Sequence, residues 1–413
     1  MPAAQRNRAL PALPPLRRRA EVAALVRAAS ARGSRAWIVG GALRDRLLGL
    51  PLPEIDVAVS GDAGEIAGDL ESGGYGRAVF LSRDRPGPRV FRVAGKRPLD
   101  VAELEGGSIE TDLARRDFTV NAMALPADSG ELLDPYGGAD DLARRRLRAV
   151  RDENLLDDPL RALRAARFLA THGLVPVPAL VPAARRAAAA FGRVAPERAT
   201  AELSRLLGAA RAAPALRWAV RAGVLGPALG LSGNEGAAAA ARALHDFDEP
   251  AVARLEPGRR RRLRLARIAL ALGLSAPEAR AFFARRRWAR EEARGAAALV
   301  GLAGSGRALR RPRDGWAWIL EAEGERLLEE GTILLARLGP GPKRRARALA
   351  RLANRPRRRV RVTGDDVVRW LSMRPGPLVG DYLARLAVAV AMGEVGNRRE
   401  ARDWLSGQVR KEG

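Results

Sequence analysis

Short apolar runs separated by turn residues occupy the chain between about residues 36 and 124. Runs with the length and the β-branched content of strands cover residues 36–39, 55–59, 77–81, 90–94 and 99–102. Helical spacing follows Gly41 and Gly61, and Gly49 stands where the first of these helices should end, before two prolines. This pattern predicts a small mixed sheet with helices.

The pattern changes after the turn sequence Asp-Pro-Tyr-Gly-Gly at residues 134–138. From there the chain consists of stretches rich in Ala, Leu and Arg that have helical spacing and few strand signals. The sequence therefore predicts an α+β part followed by a helical remainder.

Composition narrows the class of protein. The chain has 413 residues, 47% of them hydrophobic, which suits a globular protein of two to four packed units. It has no Cys, which excludes disulfides, thiolate zinc sites and cysteine nucleophiles, and its two histidines, His172 and His245, are too few for a phosphohydrolase metal site. No run of about 18 apolar residues is present, and the first residues lack an apolar signal segment. We therefore expect a cytoplasmic protein without membrane association.

The formal net charge of +26 favours a polyanionic partner, since each neutralised phosphate releases counterions. Only three of the 73 basic residues are Lys, and such a skew towards Arg in an Ala-rich chain is also typical of a coding bias. Aromatic residues make up 4% of the chain, so no stacking platform for single strands is indicated. Nucleic acid is favoured over a merely solvated basic surface.

A glycine pair followed by two acids is the first candidate site. Gly40 and Gly41 lie between a predicted strand and a helix, where backbone N–H groups can approach a triphosphate without interference from a Cβ atom. Arg44 is one helical turn further on and can reach the same phosphates. Glu54 and Asp56 are two residues apart at the start of a predicted strand, so their carboxylates leave from one face and can share a pair of divalent metals.

Further polar groups follow in order. Asp100, in the last predicted strand, supplies a third carboxylate if that strand lies beside the one carrying Asp56; otherwise it is a solvated edge-strand acid. Arg116 can clamp a triphosphate, with Asp117 and Asn121 as orienting groups.

The helix that opens after Asp158-Pro159 carries arginines at every third position, namely Arg161, Arg164 and Arg167. Their spacing places the three guanidinium groups along one slowly drifting flank. An Asp and an Arg three residues apart could offer acceptor and donor groups to a nucleotide base. A salt-bridged solvent face is the alternative interpretation.

This ordered set resembles the class II tRNA nucleotidyltransferase (CCA-adding enzyme) and bacterial poly(A) polymerase family. The shared motifs are Gly-Gly-x-x-Arg-Asp at 40–45, the acidic pair Glu54 and Asp56, Arg-Arg-Asp-Phe-Thr-x-Asn-Ala at 115–122, Asp-Pro-Tyr-Gly-Gly at 134–138, and Asp-Pro-Leu-Arg-x-Leu-Arg at 158–164. Weaker similarity at 196–203 and 363–380 extends the resemblance over nearly the whole chain from about residue 36 to 405.

The resemblance implies a polymerase-β-like nucleotidyltransferase palm of mixed sheet and helices, followed by an elongated all-α neck, body and tail. The expected divisions are an N-terminal arm and first helix at 1–30, the head at 31–150, a neck with the base-recognition helix at 151–230, and a tRNA-binding helical body and tail at 231–413.

The resemblance also implies a reaction, in which an RNA 3′-hydroxyl attacks the α-phosphorus of CTP or ATP and pyrophosphate leaves. The catalytic acids would be Glu54, Asp56 and Asp100, with Mg²⁺ held by the first two. The nucleotide would be bound by Gly40, Gly41, Arg44, Arg116, Asp158, Arg161, Arg164 and Arg167. The partner would be the acceptor end of tRNA, and no obligate protein partner is evident.

Two residues depart from the family pattern. Glu54 stands where the family normally has Asp, and Glu105 stands where it tends to have Arg. The favoured function is addition of CCA, or part of it, to tRNA 3′ ends. The alternatives are a bacterial poly(A) polymerase and a catalytically degenerate RNA-binding relative.

Overall fold

The computed structural model describes most of the chain: residues 14–81, 87–129, 131–232, 235–245, 250–304, 327–338, 346–347, 350 and 360–412. The first part of the predicted N-terminal arm, residues 1–13, lies outside these ranges. The chain divides into two compact units, and each is described by itself. The first unit contains residues 1–195 and 221–227, and the second contains 196–220 and 228–413.

A six-stranded mixed sheet forms the centre of the first unit. Its strands are β1 (Ala36–Val39), β2 (Ile55–Val59), β3 (Arg77–Phe80), β4 (Val90–Ala94), β5 (Leu99–Glu103) and β6 (Ala124–Pro126). Their spatial order is β3-β4-β5-β2-β1-β6. β2 and β5 run parallel, and the other neighbours are antiparallel. The five predicted strands are confirmed, whereas β6 was not predicted.

Helices and a short strand pair complete the first unit. The helices are α1 (Pro14–Arg17), α2 (Ala20–Ala31), α3 (Gly41–Leu47), α4 (Ala63–Ser72), α5 (Ile109–Ala114), α6 (Gly138–Ala143), α7 (Asp152–Asp157), α8 (Leu160–His172) and α9 (Leu180–Ala188). β7 (Arg146–Leu147) pairs in parallel with β8 (Val175–Pro176). The predicted helices after Gly41 and Gly61 correspond to α3 and α4.

Local signals account for where these helices begin. Asp62 accepts hydrogen bonds from the Gly64 and Glu65 N–H groups and so caps α4, while the Ser108 side chain caps α5. α3 begins directly after Gly40, whose φ of 62° favours glycine. The apolar side chains behind this turn are buried: Trp37 and Val39 of β1 pack with Ala58 of β2 and with α5 in one core cluster.

The rest of the described chain is helical. Its helices cover Pro196–Gly208, Ala213–Arg221, Leu225–Leu229, Glu235–Ala243, Pro250–Ala253, Pro257–Ala271, Ala276–Arg285, Arg290–Gly304, Leu328–Arg337, Gly364–Leu371, Pro377–Met392 and Arg398–Glu412. The last three share a core that includes Val367, Tyr382 and Leu405. None of the helices in the described residues has the length and apolar character needed to cross a bilayer. The predicted α+β class, with a helical remainder, is confirmed.

Candidate active site

The glycine turn between β1 and α3 faces the first acids. The Gly41 N–H donates to Asp56 Oδ2 at 3.2 Å. A Cβ atom on Gly40 would lie 2.8 Å from Arg116 Nη1, and one on Gly41 would lie 3.1 Å from Asp56 Oδ2. Side chains at these positions would close the space between the turn and the sheet, so the glycine pair keeps that space open.

Glu54, Asp56 and Asp100, here called the acidic cluster, converge on the sheet next to this turn. The parallel pairing of β2 with β5 places Asp56 opposite Asp100, and Glu54 directly precedes β2. One carboxylate oxygen from each residue lies within 4.8 Å of the other two. Of the two interpretations left open for Asp100, the structure shows the one in which its strand lies beside β2, since β5 is not an edge strand.

The acidic cluster places three carboxylates close together, and Asp56 is the one whose titration they affect. Burial, together with the charges of Asp100 and Glu54, raises the pKa of Asp56 to about 6, although Arg116 and Arg44 act in the opposite direction. Like charges this close disfavour full ionisation. A divalent cation would relieve the repulsion, because three carboxylates are the hard oxygen donors that Mg²⁺ and similar ions prefer. The acidic cluster thus fits a divalent metal in both donor type and spacing.

Arg44 lies one turn into α3 and is held on two sides. Its Nη1 donates to Asn121 Oδ1 at 2.7 Å, and its Nε donates to Asp45 Oδ1 at 2.8 Å. The guanidinium also lies 4.9 Å from the centre of the Phe168 ring. The side chain is only 10% exposed, so a charged group beside the glycine turn is fixed in position rather than free in solvent.

Arg116 is held across the turn from Arg44. Its Nε and Nη2 both donate to Asp112 Oδ2, at 3.0 and 2.7 Å, and its Nη1 donates to the Asn121 carbonyl at 3.2 Å. The Nη1 atom is the one that lies close to Gly40. Two guanidinium groups therefore flank the glycine pair and place positive charge beside it.

A buried carboxylate, Asp117, connects this region to α8. It accepts hydrogen bonds from Arg164 Nε and from Asn121 Nδ2, each at 2.8 Å. Burial alone would raise its pKa, but the Arg164 charge and these hydrogen bonds lower the pKa of Asp117 to about 2. Asn121 in turn binds Arg44, so the two orienting residues named from the sequence connect the glycine turn to the arginine helix.

Three arginine side chains lie close to the Phe168 ring. The guanidinium carbons of Arg44, Arg164 and Arg167 lie 4.9, 5.7 and 4.0 Å from its centroid. The ring itself is fully buried and packs edge-on against Phe118. A solvated face, the alternative interpretation of this helix, does not describe Arg167, which is buried.

Asp158 and Arg161 lie at the beginning of α8. Asp158 Oδ1 accepts the Leu160 N–H at 3.3 Å, and Arg161 Nη1 donates to the carbonyls of Arg115 and Asn154 at 2.8 and 3.0 Å. Arg161 is thereby tied to the residue before Arg116. The structure thus brings the beginning of α8 next to the segment that carries Arg116.

Several site contacts were missed by sequence reasoning. Arg92 of β4 donates to both Asp100 and Glu54, and Asn154 Nδ2 donates to the carbonyls of Ala114 and Arg116. The signal for Arg92 was present, since it is the one charged residue in the apolar run at 90–94. Its partners depend on strand pairing, which that signal does not reveal.

His172 also has a contact that the sequence did not predict. Its Nε2 lies 3.2 Å from Asp45 Oδ1, the same oxygen that accepts from Arg44. Burial lowers the pKa of His172. In the structure this histidine supports the acid that holds Arg44. Glu105, the second departure from the family pattern, forms an ion pair with Arg115 at 2.8 Å.

The mixed sheet, with its glycine turn and adjacent acids, defines the head as a polymerase-β-like nucleotidyltransferase. A family model described as the poly A polymerase head domain matches residues 89–148. The CC-adding tRNA nucleotidyltransferase of Geobacter sulfurreducens is 35% identical over 402 residues, which cover 91% of this chain and 92% of that protein. The CCA-adding enzyme of Geobacillus stearothermophilus is 31% identical over 406 residues, covering 92% and 94%.

The solved structures agree with these relatives. The crystal structure of the Bacillus stearothermophilus CCA-adding enzyme in complex with CTP superposes with a TM-score of 0.68 and 27% identity, covering 95% of this chain and 98% of that one. This chain belongs to the tRNA nucleotidyltransferase family. Membership implies use of a divalent metal ion, and the acidic cluster is a group of residues that could hold it.

Proposed function

We propose that this enzyme adds nucleotides of the CCA end to tRNA 3′ termini, with the RNA 3′-hydroxyl attacking the α-phosphorus of CTP or ATP and pyrophosphate leaving. Relatives of nearly full coverage carry both the CC-adding and the CCA-adding name, and cytidine addition is common to the two. We therefore propose cytidine transfer to tRNA as the reaction of this enzyme. Whether it also adds the final adenosine is decided by the extension experiment below.

The observation that carries the proposal is the convergence of the acidic cluster, within 4.8 Å, beside a glycine turn flanked by Arg44 and Arg116. We propose Glu54 and Asp56 as ligands of Mg²⁺, with Asp100 as the third catalytic acid. A bound Mg²⁺ would offset the charge that develops on the α-phosphate and favour ionisation of the 3′-hydroxyl. The convergence of the carboxylates supports this assignment.

Binding of the triphosphate is assigned to the turn and its arginines. The Gly40 N–H and the N-terminus of α3 offer a donor and positive potential, the Gly41 N–H being already used by Asp56, while Arg44 and Arg116 supply two fixed guanidinium groups. Because both arginines are already held by acids and by Asn121, little side-chain freedom is lost when the nucleotide binds.

Base selection is assigned to the first turn of α8. The Asp158 carboxylate and the Arg161 guanidinium can read the acceptor and donor groups of the base, and Arg164 and Arg167 complete the pocket. Choosing the base with protein side chains would explain how the enzyme works without a nucleic-acid template. Substituting Asp158 with Ala should reduce discrimination between CTP and ATP, and the exposed neighbour substitution Asp157→Ala is the matched control.

The head is proposed at 31–150, the neck at 151–230 and the body and tail at 231–413, with tRNA bound by the basic helical regions. The net charge of +26 supports a phosphate backbone as partner. The Glu54 departure is compatible with catalysis, because the longer side chain still brings its oxygen into the acidic cluster. A degenerate head is therefore less well supported than an active one.

Extension of defined transcripts tests the proposal. Purified protein, Mg²⁺ and one nucleotide at a time are supplied to tRNA lacking CCA, to tRNA ending in CC, and to an unrelated RNA. We expect CTP to extend the first substrate and stop after CC. Addition of A to the second substrate would define a CCA-adding rather than a CC-adding enzyme.

The main alternative has one observation in its favour, which is the description of the family model that matches residues 89–148. A poly(A) polymerase would extend the unrelated RNA with ATP alone and would not stop after one residue. That outcome, or failure to incorporate cytidine into tRNA lacking CCA, would overturn the proposal.

A further inference from the structure

Arg92 of β4 binds two members of the acidic cluster. Antiparallel pairing of β4 with β5 places Arg92 opposite Asp100. Its Nε donates to Asp100 Oδ1 and its Nη2 to Asp100 Oδ2, both at 2.7 Å, and Nη2 also donates to Glu54 Oε2. A guanidinium that binds one carboxylate with two nitrogens is a strong charge-assisted contact. None of the roles assigned above uses this residue.

The contact with Glu54 crosses a whole strand. In the sheet order, β5 lies between β4 and β2, so the side chains of Arg92 and Glu54 meet over Asp100. Strands two places apart are separated by roughly 10 Å, which only long side chains can bridge. Glu54, which has one methylene more than Asp, meets Arg92 across this distance.

Arg92 places a positive charge where a cation would bind. Its guanidinium engages both oxygens of Asp100 and one of Glu54. A divalent ion ligated by the same oxygens would lie within a few ångströms of the guanidinium, where like charges repel strongly. The Arg92 side chain is 38% exposed, so it has a path into solvent.

We propose that Arg92 is a built-in counter-cation of the acidic cluster, which competes with the divalent metal for Asp100 and Glu54 and leaves when the metal binds. In the metal-free protein it neutralises part of the cluster and keeps the carboxylates in position. Metal loading then requires exchange of one cation for another. The proposal rests on the acidic cluster being the metal site of the proposed function.

Mn²⁺ titration without nucleotide or RNA tests the exchange, with free Mn²⁺ measured by electron paramagnetic resonance. Removing the guanidinium in Arg92→Met, which keeps an apolar stem, should lower the Mn²⁺ dissociation constant roughly tenfold. Arg92→Lys keeps the charge but loses the two-nitrogen contact. Its Mn²⁺ dissociation constant should therefore lie between those of Arg92→Met and wild type. Arg89→Met is the matched control. It removes the same charge as Arg92→Met, but Arg89 pairs with Asp62 and Glu103 rather than with the acidic cluster.

Thermal unfolding in EDTA and in Mn²⁺ gives a second readout. Arg92→Met should have a lower melting temperature than wild type in EDTA, and Mn²⁺ should raise its melting temperature by more than it raises that of wild type. In Arg89→Met, Mn²⁺ should raise the melting temperature by the same amount as in wild type. A purely supporting role would lower the melting temperature of Arg92→Met and weaken Mn²⁺ binding, which would overturn the proposal.

The variants also separate this inference from the proposed function. In one outcome, Asp56→Asn abolishes Mn²⁺ binding, and Arg92→Met binds Mn²⁺ as tightly as wild type or more weakly. This outcome contradicts the proposed role of Arg92 but supports the metal site. If no Mn²⁺ binds at Asp56 in wild type or in Arg92→Met, the metal site itself is wrong and both fail. Binding seen in Arg92→Met and absent from wild type supports competition.

Discussion

Asp56 and Asp100 are Cα partners across the parallel strands β2 and β5. Side chains at paired positions of neighbouring strands point to the same face of the sheet, so the two carboxylates must meet. The crossover from β2 to β5 through α4, β3 and β4 is what makes this parallel pairing possible. The acidic cluster is thus a consequence of sheet topology, and Glu54 joins it from the residue before β2.

Metal affinity should depend on pH through Asp56. Its pKa is raised to about 6, so below that value a proton must leave before the carboxylate can ligate a cation. Mn²⁺ affinity should rise up to about tenfold per pH unit below 6 and level off above about 7. Isothermal titration from pH 5 to 8 measures it. A curve that is flat over this range would mean that Asp56 is not a ligand.

Gly40→Ala should damage nucleotide binding beyond its effect on stability. Gly40 and Gly33 both have a positive φ, 62° and 61°, so alanine at either position strains the backbone by about 1–3 kcal/mol, with the higher cost at Gly40, whose ψ of −126° lies outside the left-handed helical region. At Gly40 the new Cβ would also lie 2.8 Å from Arg116 Nη1, whereas nothing lies within 4 Å at Gly33.

The kinetic comparison of these two variants isolates the contact. The KM for CTP should rise roughly tenfold in Gly40→Ala, as expected when one charged contact with phosphate is displaced. Gly33→Ala should keep the wild-type KM. Equal KM values for the two variants would show that Arg116 does not contact the phosphates of CTP.

Asp117→Asn should destabilise the first unit in a pH-dependent way. The pKa of Asp117 in the folded protein is about 2, below the ordinary 3.8, so its ionised form stabilises the fold above pH 4. We expect a loss of about 2–3 kcal/mol in the free energy of unfolding at pH 7, shrinking as the pH falls from 4 towards 2. Denaturant unfolding measures it, with the exposed Asp157→Asn as control. A loss that is constant with pH would exclude the ion pair with Arg164 as its cause.

Local signals predicted the elements of the head but not their pairing. The run containing Ile55 and Asp56 and the run containing Leu99 and Asp100 were recognised as strands, because strand propensity and flanking turns are local properties. The register that joins them is set by long-range packing. The same limit explains why Arg92 was not connected to the acidic cluster.

β6 and the partners of Asp117 and Asn121 also depend on contacts between distant parts of the chain. β6, at Ala124–Pro126, is short and follows a 3₁₀ turn, so its strand character comes from pairing with β1 rather than from its own sequence. Asp117 and Asn121 were recognised as polar groups in a motif, whereas their partners Arg164 and Arg44 lie far away in the sequence. Motif order identified these residues, and the fold supplied their contacts.

RNA affinity should fall steeply with salt. If the net charge of +26 serves phosphate binding, the logarithm of the association constant should decrease linearly with the logarithm of salt concentration, by a slope of about −0.9 per phosphate contact in duplex regions. Fluorescence anisotropy with tRNA between about 50 and 200 mM salt should show a loss of at least tenfold. An affinity independent of salt would indicate that the Arg excess reflects composition alone.

The most direct measurement is the rate of CTP incorporation into tRNA lacking CCA by wild type, Asp56→Asn and Asp157→Asn in Mg²⁺. Removing one charge from the acidic cluster should lower the rate at least about a hundredfold, since the cation and the reacting oxygens depend on it. tRNA affinity should stay within about twofold, and Asp157→Asn should match wild type. Incorporation by Asp56→Asn at the wild-type rate would contradict metal-dependent transfer at this site.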